Sequence, residues 1–270
     1  MAIVFKVMPW YKKSGGGYSG IWIPKTWSGL TSFAGVNVWT DGTDIYYSGN
    51  VGSQQYVLNK STSTWTAKTW SGLTSFTGSY IWTDGTDIYY SQDTNQYVLN
   101  KSTSTWSTKA WLGQASFRGN YIWTDGTYMY CSYMYTSTTY VHYVLSNPSS
   151  GTWTSKTWQG LTKFTGNKVW TDGTDIYYSD SVNQYVLNKA TSTWSTKTWQ
   201  GLTSFSGQDV WTDGTDIYYS QSTSQYVLNK STSTWTPKTW QGLTDFYGRN
   251  IWKDGNHIYY SNGGSNYELT

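Results

Sequence analysis

Charge is scarce in this chain: Asp, Glu, Lys and Arg make up 12% of its 270 residues, roughly half the usual share. Networks of ion pairs are therefore not what holds it together. The net charge of +3 is too small to point to nucleic acid or an anionic membrane. Cysteine is nearly absent. The single Cys131 excludes an intramolecular disulfide and a thiolate metal cluster. Histidine occurs twice, at 142 and 257, a poor supply for a catalytic triad or a zinc site. No apolar run approaches the ~18 residues of a membrane span. The start, Met1 to Trp10, is apolar but short, and Lys6 interrupts it. It carries neither a basic leader nor a small-residue cleavage site. These absences predict a soluble, cytoplasmic protein without a signal peptide, with no cofactor and no metal.

Rings and glycine are abundant instead. Aromatics reach 19%, with 19 Trp and 26 Tyr, and there are 27 Gly. Their placement is periodic. Trp-Thr-Asp-Gly, or Trp-Lys-Asp-Gly once, has its Trp at 39, 82, 123, 170, 211 and 252, spaced by 43, 41, 47, 41 and 41. A second series, ending Lys-Thr-Trp or Lys-Ala-Trp, falls at 27, 70, 111, 158, 199 and 240 with the same spacings. A third, usually inside Ser-Thr-Ser-Thr-Trp, falls at 65, 106, 153, 194 and 235. Such self-similarity at about 41 residues is the signature of a repeat architecture.

Each unit reads as four short strands. In the second unit, strand A is the stretch Ser79 to Trp82 and leads into an Asp-Gly pair, the strongest short hairpin signal. Strand B is Asp87 to Ser91, strand C is Gln96 to Asn100, and strand D is Thr105 to Lys109. Helical periodicity is absent. Four strands repeated six times predict an all-β, closed six-bladed β-propeller of antiparallel blades. The chain ends after strand C of the last unit. The sixth member of the third Trp series is Trp22, since Trp22-Ile23-Pro24-Lys25-Thr26-Trp27 parallels Trp235-Thr236-Pro237-Lys238-Thr239-Trp240. The N-terminal strand is therefore expected to complete the C-terminal blade, which removes open sheet edges. Residues 18–270 form the propeller as one domain. Residues 1–17 form an arm outside it, with Gly15-Gly16-Gly17 as a joint; it is an attachment segment or a flexible tail, through which an otherwise monomeric ring could oligomerise.

The run Ile217-Tyr218-Tyr219-Ser220, then Tyr226-Val227-Leu228-Asn229 through Trp235, resembles the kelch repeat. That repeat has an apolar strand ending in Gly-Gly, then Tyr, six residues and Trp. Here Leu228 and Trp235 hold the spacing with Leu in the Tyr position, and Ser91, Ser179 and Ser220 stand where the glycine pair begins. The resemblance covers residues 18–270. WD40 repeats are a weaker match, having a Gly-His partner that this chain lacks. The likeness implies a propeller that serves as scaffold or adaptor, of the kind met in phage-tail and gut-bacterial proteins, and with it a virion-associated location as the alternative to the cytoplasm. Fold alone does not give function.

Ten of the 15 acidic residues sit in the repeated Asp-Gly turns. A residue present in every blade is expected to do turn-forming work, with calcium binding the minor alternative. Catalysis needs a unique cluster, and Asp93, Asp180, Asp209, Asp245 and Glu268 are scattered over the units with no glycosidase-type pair. His142 is assigned to a loop insertion and His257 to a surface position. The expectation is that the chain is not an enzyme. The repeated Trp and Phe residues are assigned to core between blades.

The units differ chiefly in the B–C connections (residues 49–54, 92–95, 133–141, 180–183, 221–224 and 262–265) and just after the repeated Phe. In an up-and-down blade both sets emerge on one face, and a constant scaffold with one varied rim reads as a binding surface. The third unit is longest there, with Tyr128 to Tyr143 rich in Tyr and Met, residues suited to recognition; a lengthened hairpin packing on its neighbour is the plainer reading. The candidate ligand-binding residues are Tyr80, Arg118, Tyr121, Tyr133, Tyr135, Tyr140, His142, Lys168, Asp209 and Arg249. The expected partner is a protein or a glycan, with no nucleic acid and no membrane. A multivalent lectin is the alternative, and a glycan-active hydrolase or lyase is disfavoured.

Overall fold

The computed structural model describes residues 18–30, 33, 35, 37–49, 54–73, 75–77, 80–92, 94–113, 121–134, 139–161, 163–166, 168–180, 182–202, 204–206, 209–243, 245–248 and 250–270, with the backbone alone at 133, 134 and 149. The arm 1–17 lies outside these residues.

Strands are numbered along the chain. The first, β1 (Trp22–Pro24), precedes β2 (Val38–Thr40), β3 (Ile45–Ser48), β4 (Gln55–Asn59) and β5 (Thr64–Ala67). Blade two is β6 (Ile81–Thr83), β7 (Ile88–Gln92), β8 (Asn95–Asn100) and β9 (Thr105–Thr108). Blade three is β10 (Tyr121–Thr124), β11 (Met129–Met134), β12 (Tyr140–Leu145) and β13 (Thr154–Ser155). Blade four is β14 (Val169–Thr171), β15 (Ile176–Ser179), β16 (Gln184–Asn188) and β17 (Thr193–Thr196). Blade five is β18 (Val210–Thr212), β19 (Ile217–Gln221), β20 (Ser224–Asn229) and β21 (Thr234–Pro237). The last strands are β22 (Ile251–Asp254), β23 (His257–Asn262) and β24 (Ser265–Leu269). Blade one is β2-β3-β4-β5, and blade six has the order β1-β24-β23-β22. The fold is an all-β six-bladed propeller of four-stranded antiparallel blades.

The expected sharing of the last blade between the two termini is present. Trp22 pairs with Leu269, Ile23 with Glu268 and Pro24 with Tyr267, and the Ser19 amide donates to Thr270 O at 2.5 Å. Trp22 is 1% exposed and packs among the rings of Trp211, Trp240, Phe246 and Tyr260.

Contacts divide the chain into two compact units. One comprises Trp70–Thr74 and Gly78–Lys197; the other runs to Thr69, includes Ser75–Thr77 and resumes at Thr198–Thr270. Within the first, Trp82 of blade two lies 5.5 Å from Trp111 and 6.1 Å from Trp153 of blade three. Trp123 of blade three meets Trp158, Phe164 and Trp194 of blade four in the same way. Within the second unit, Trp252 of blade six faces Trp27, Phe33 and Trp65. The repeated rings are thus core between successive blades, where large flat side chains fill a wedge that aliphatic ones would leave open. The connection leaving each strand D also docks on the strand D that follows, as a parallel bridge such as Gln159 to Thr193 or Gln200 to Thr234. A glycine is required next to it: Gly160 has φ +79°, and a Cβ there would collide with the Trp194 carbonyl.

Candidate functional site

The constant end of each blade is explained by its own hydrogen bonds. In blade two, Asp84 Oδ1 accepts from the amides of Thr86 (2.9 Å) and Asp87 (2.8 Å), and its Oδ2 accepts from the Tyr89 hydroxyl at 2.8 Å. Tyr89 in turn stacks on its cross-strand partner Trp82, with centroids 4.3 Å apart. The same set recurs around Asp41, Asp125, Asp172 and Asp213. Burial, and then the Asp84 carboxylate, push the Tyr89 pKa far up, so the phenol stays a donor at every ordinary pH. The repeated acids are turn caps that also anchor a buried tyrosine.

At the other end of the blade lies a rung built from Ser and Gln. Ser91 Oγ donates to Gln96 Oε1 at 2.5 Å, and the same pair forms as Ser48–Gln55, Ser179–Gln184 and Ser220–Gln225. The amide of Gln55 reaches on to the Phe76 carbonyl at 2.9 Å, and that of Gln225 to the Phe246 carbonyl at 2.6 Å. Blade three departs here. The sequence places His142 in a loop insertion, but it lies in β12 opposite Ser132, where four other blades carry Gln. Its Nδ1 shares a 2.9 Å hydrogen bond with Ser132 Oγ, and its ring is 5.2 Å from Phe164. Burial pushes its pKa down to about 4, so the half-buried imidazole is neutral at ordinary pH. The mistake has a physical origin: the extra residues of blade three extend the β11–β12 hairpin, pairing Tyr133 with Val141 and Met134 with Tyr140, one rung beyond blade two. His257 is indeed exposed, and its Nδ1 lies 2.5 Å from Glu268 Oε1.

Three of the candidates come together in the first unit. Tyr121, in β10, is half-buried, and its pKa is raised by burial and then by the nearby phenols of Tyr140 and Tyr80. Tyr140 also lies beneath Lys163 Nζ, 5.5 Å from its ring centroid, and close enough to Tyr178 to raise its pKa. Gly166 of blade four lets this layer close up, since a Cβ there would strike Ser132 and lie 3.5 Å from Tyr121 Cβ. Beside the cluster, burial works to raise the Asp180 pKa, but hydrogen bonds from Asn183, Val182 and Tyr185 outweigh it and hold the carboxyl below its usual range. Tyr133 is placed through its backbone in β11. Arg118, Tyr135 and Arg249 lie outside the described residues.

Lys168 and Asp209 occupy the position equivalent to Tyr80. Five blades hold it in the left-handed region: Asn37 (φ 55°), Tyr80 (56°), Lys168 (79°), Asp209 (53°) and Asn250 (53°). The carbonyl of this residue accepts the amide of the rung serine, as in Tyr80 O from Ser91 and Lys168 O from Ser179. Asn and Asp tolerate such a φ, whereas Tyr and Lys do so at a cost. Among the described residues, no three His, Cys, Asp or Glu side chains are grouped to hold a metal ion. No helix there is long and apolar enough to cross a membrane. No protein-family model matches the sequence, and no curated protein matches it at a significant level.

Proposed function

We propose that this protein is a non-catalytic recognition or scaffold module that binds a protein or glycan partner through the B–C and D–A connections of blades two to four. The observation carrying this is that Tyr80 and Tyr140, from two other segments, lie near enough to Tyr121 to help raise its pKa, beside Lys163 over the Tyr140 ring. Every blade uses its repeated tyrosines internally, but these three belong to positions where the blades differ. Phenol rings give large contact area with few rotors to freeze, and their hydroxyls pair with either a peptide or a sugar. The choice of Tyr at a left-handed position that three other blades give to Asn or Asp supports the reading, because a residue unfavourable to its backbone persists where it serves a function. The blades are further read as degenerate kelch repeats, supported by Leu228 and Trp235, which hold the repeat spacing and pair directly across β20 and β21.

A glycan array probed in the presence of excess free monosaccharide, with the wild-type protein and with Y80A/Y121A/Y140A, tests the glycan arm, and the triple variant should lose the extended-glycan signals. If no glycan binds, lysine crosslinking in an extract of the native source should map a protein contact to Lys163 or Lys168. Glycan signals unchanged in the triple variant, or crosslinks confined to other blades, would reject the proposal.

A further inference from the structure

Blade six breaks the Ser–Gln rung in a different way from blade three. Its serine, Ser261, faces Asn266, one methylene shorter than Gln. The Asn266 amide turns back to Gly264 O at 3.1 Å. It does not reach forward to Phe33 O, the counterpart of the carbonyls that Gln55 and Gln225 serve. Among the described residues no hydrogen bond reaches the Phe33 carbonyl. Where the longer amide would lie there is a cleft of about 600 Å³, lined by Trp27, Phe33, Asn266 and Tyr267 and bordered by Gly263 and Gly264. That volume falls within the range of small-molecule sites. Its rim is kept open by the two glycines, whose φ values of +56° and +94° disfavour other residues and whose missing Cβ atoms face empty space.

We propose that this cleft binds a single neutral sugar unit. The half-buried Trp27 offers a ring to stack on. Thr26, Ser265 and the Tyr267 phenol supply hydroxyls at the lining, and the Phe33 carbonyl supplies an acceptor for a ligand hydroxyl. The one cation at the site, Lys25, is already engaged: its Nζ lies 3.3 Å from Glu268 and 5.1 Å from the Trp27 centroid. The site therefore favours an uncharged ligand over an acidic one. Asn stands at this rung in blade six alone, where four blades carry Gln and blade three carries His142, so one such site is expected in the chain. This inference is independent of the tyrosine cluster.

The test is titration of the purified protein with neutral hexoses and N-acetylhexosamines, followed by saturation-transfer NMR and calorimetry. Wild type should bind at least one of them with a stoichiometry of one. N266Q restores the residue of four other blades, so its fold is secure, and it should weaken binding at least tenfold. Y80A/Y121A/Y140A should bind the sugar as wild type does. No binding by wild type to any of these sugars, equal binding by N266Q, or loss of binding in the triple tyrosine variant would each overturn the assignment.

Discussion

The two ends of a blade follow different rules. At the Asp-Gly end, blades one to five repeat the same carboxylate, the same two amides and the same tyrosine hydroxyl. At the other end the rung is Ser–Gln in four blades, Ser132–His142 in blade three and Ser261–Asn266 in blade six. The first end is fixed because each atom there satisfies a hydrogen bond of the turn itself. The second end tolerates change because its groups can be refilled, as by the half-buried His142 imidazole, or left out, as in the cleft. A repeat protein supplies its own controls: a residue shared by all blades serves the blade, and a residue peculiar to one is free to serve something else.

This contrast predicts that repeated positions damage folding most, while the varied rim tyrosines damage recognition. The largest effect is expected at the strand shared between the termini. Trp22→Ala should cost about 3–5 kcal/mol, the range for large core rings, and deletion of residues 18–24 should abolish cooperative unfolding; calorimetry reads both. A smaller loss belongs to the turn. Asp84→Ala removes the acceptor for two amides and a phenol and should cost about 1–3 kcal/mol in urea unfolding.

Next comes a pH effect confined to blade three. His142 titrates at about 4 when folded, below the unfolded value of about 6.5. Below pH 6.5 the unfolded chain therefore binds a proton that the native chain refuses. The His142 contribution to stability is complete above pH 6.5 and is lost as pH falls from 6.5 to 4, by up to about 2 kcal/mol after allowance for partial solvent screening. H142Q should flatten that part of the stability profile. The smallest effect has the opposite sign. Tyr80→Asn should stabilise the fold by a few tenths to about 1 kcal/mol, because Asn accepts the left-handed φ more readily, while weakening ligand binding. A Tyr80→Asn variant both less stable and fully binding-competent would break the contrast.

The architecture was legible in the sequence because its signals are periodic. Six Trp-x-Asp-Gly turns fixed the hairpins, and the displaced Trp22 revealed how the last blade is completed. The site was only partly legible. Tyr80, Tyr121 and Tyr140 were found as differences between units, since variation can be counted along the chain. His142 was misplaced because the extra residues around it looked like loop, whereas cross-strand pairing extends the hairpin through them. The blade-six cleft was missed, although its signal is a single change, Asn266 in a column of Gln. Reading that change requires knowing that the glutamine amide crosses to the next blade, which strand patterns do not disclose.

The most direct test of the account is to replace Tyr133–Val141 with the four-residue connection of blade two, Gln-Asp-Thr-Asn, and to measure unfolding and array binding on one preparation. The account predicts a chain that melts within a few degrees of wild type and has lost the glycan or protein contact made by the tyrosine cluster. A chain that melts normally and binds as wild type does would contradict it.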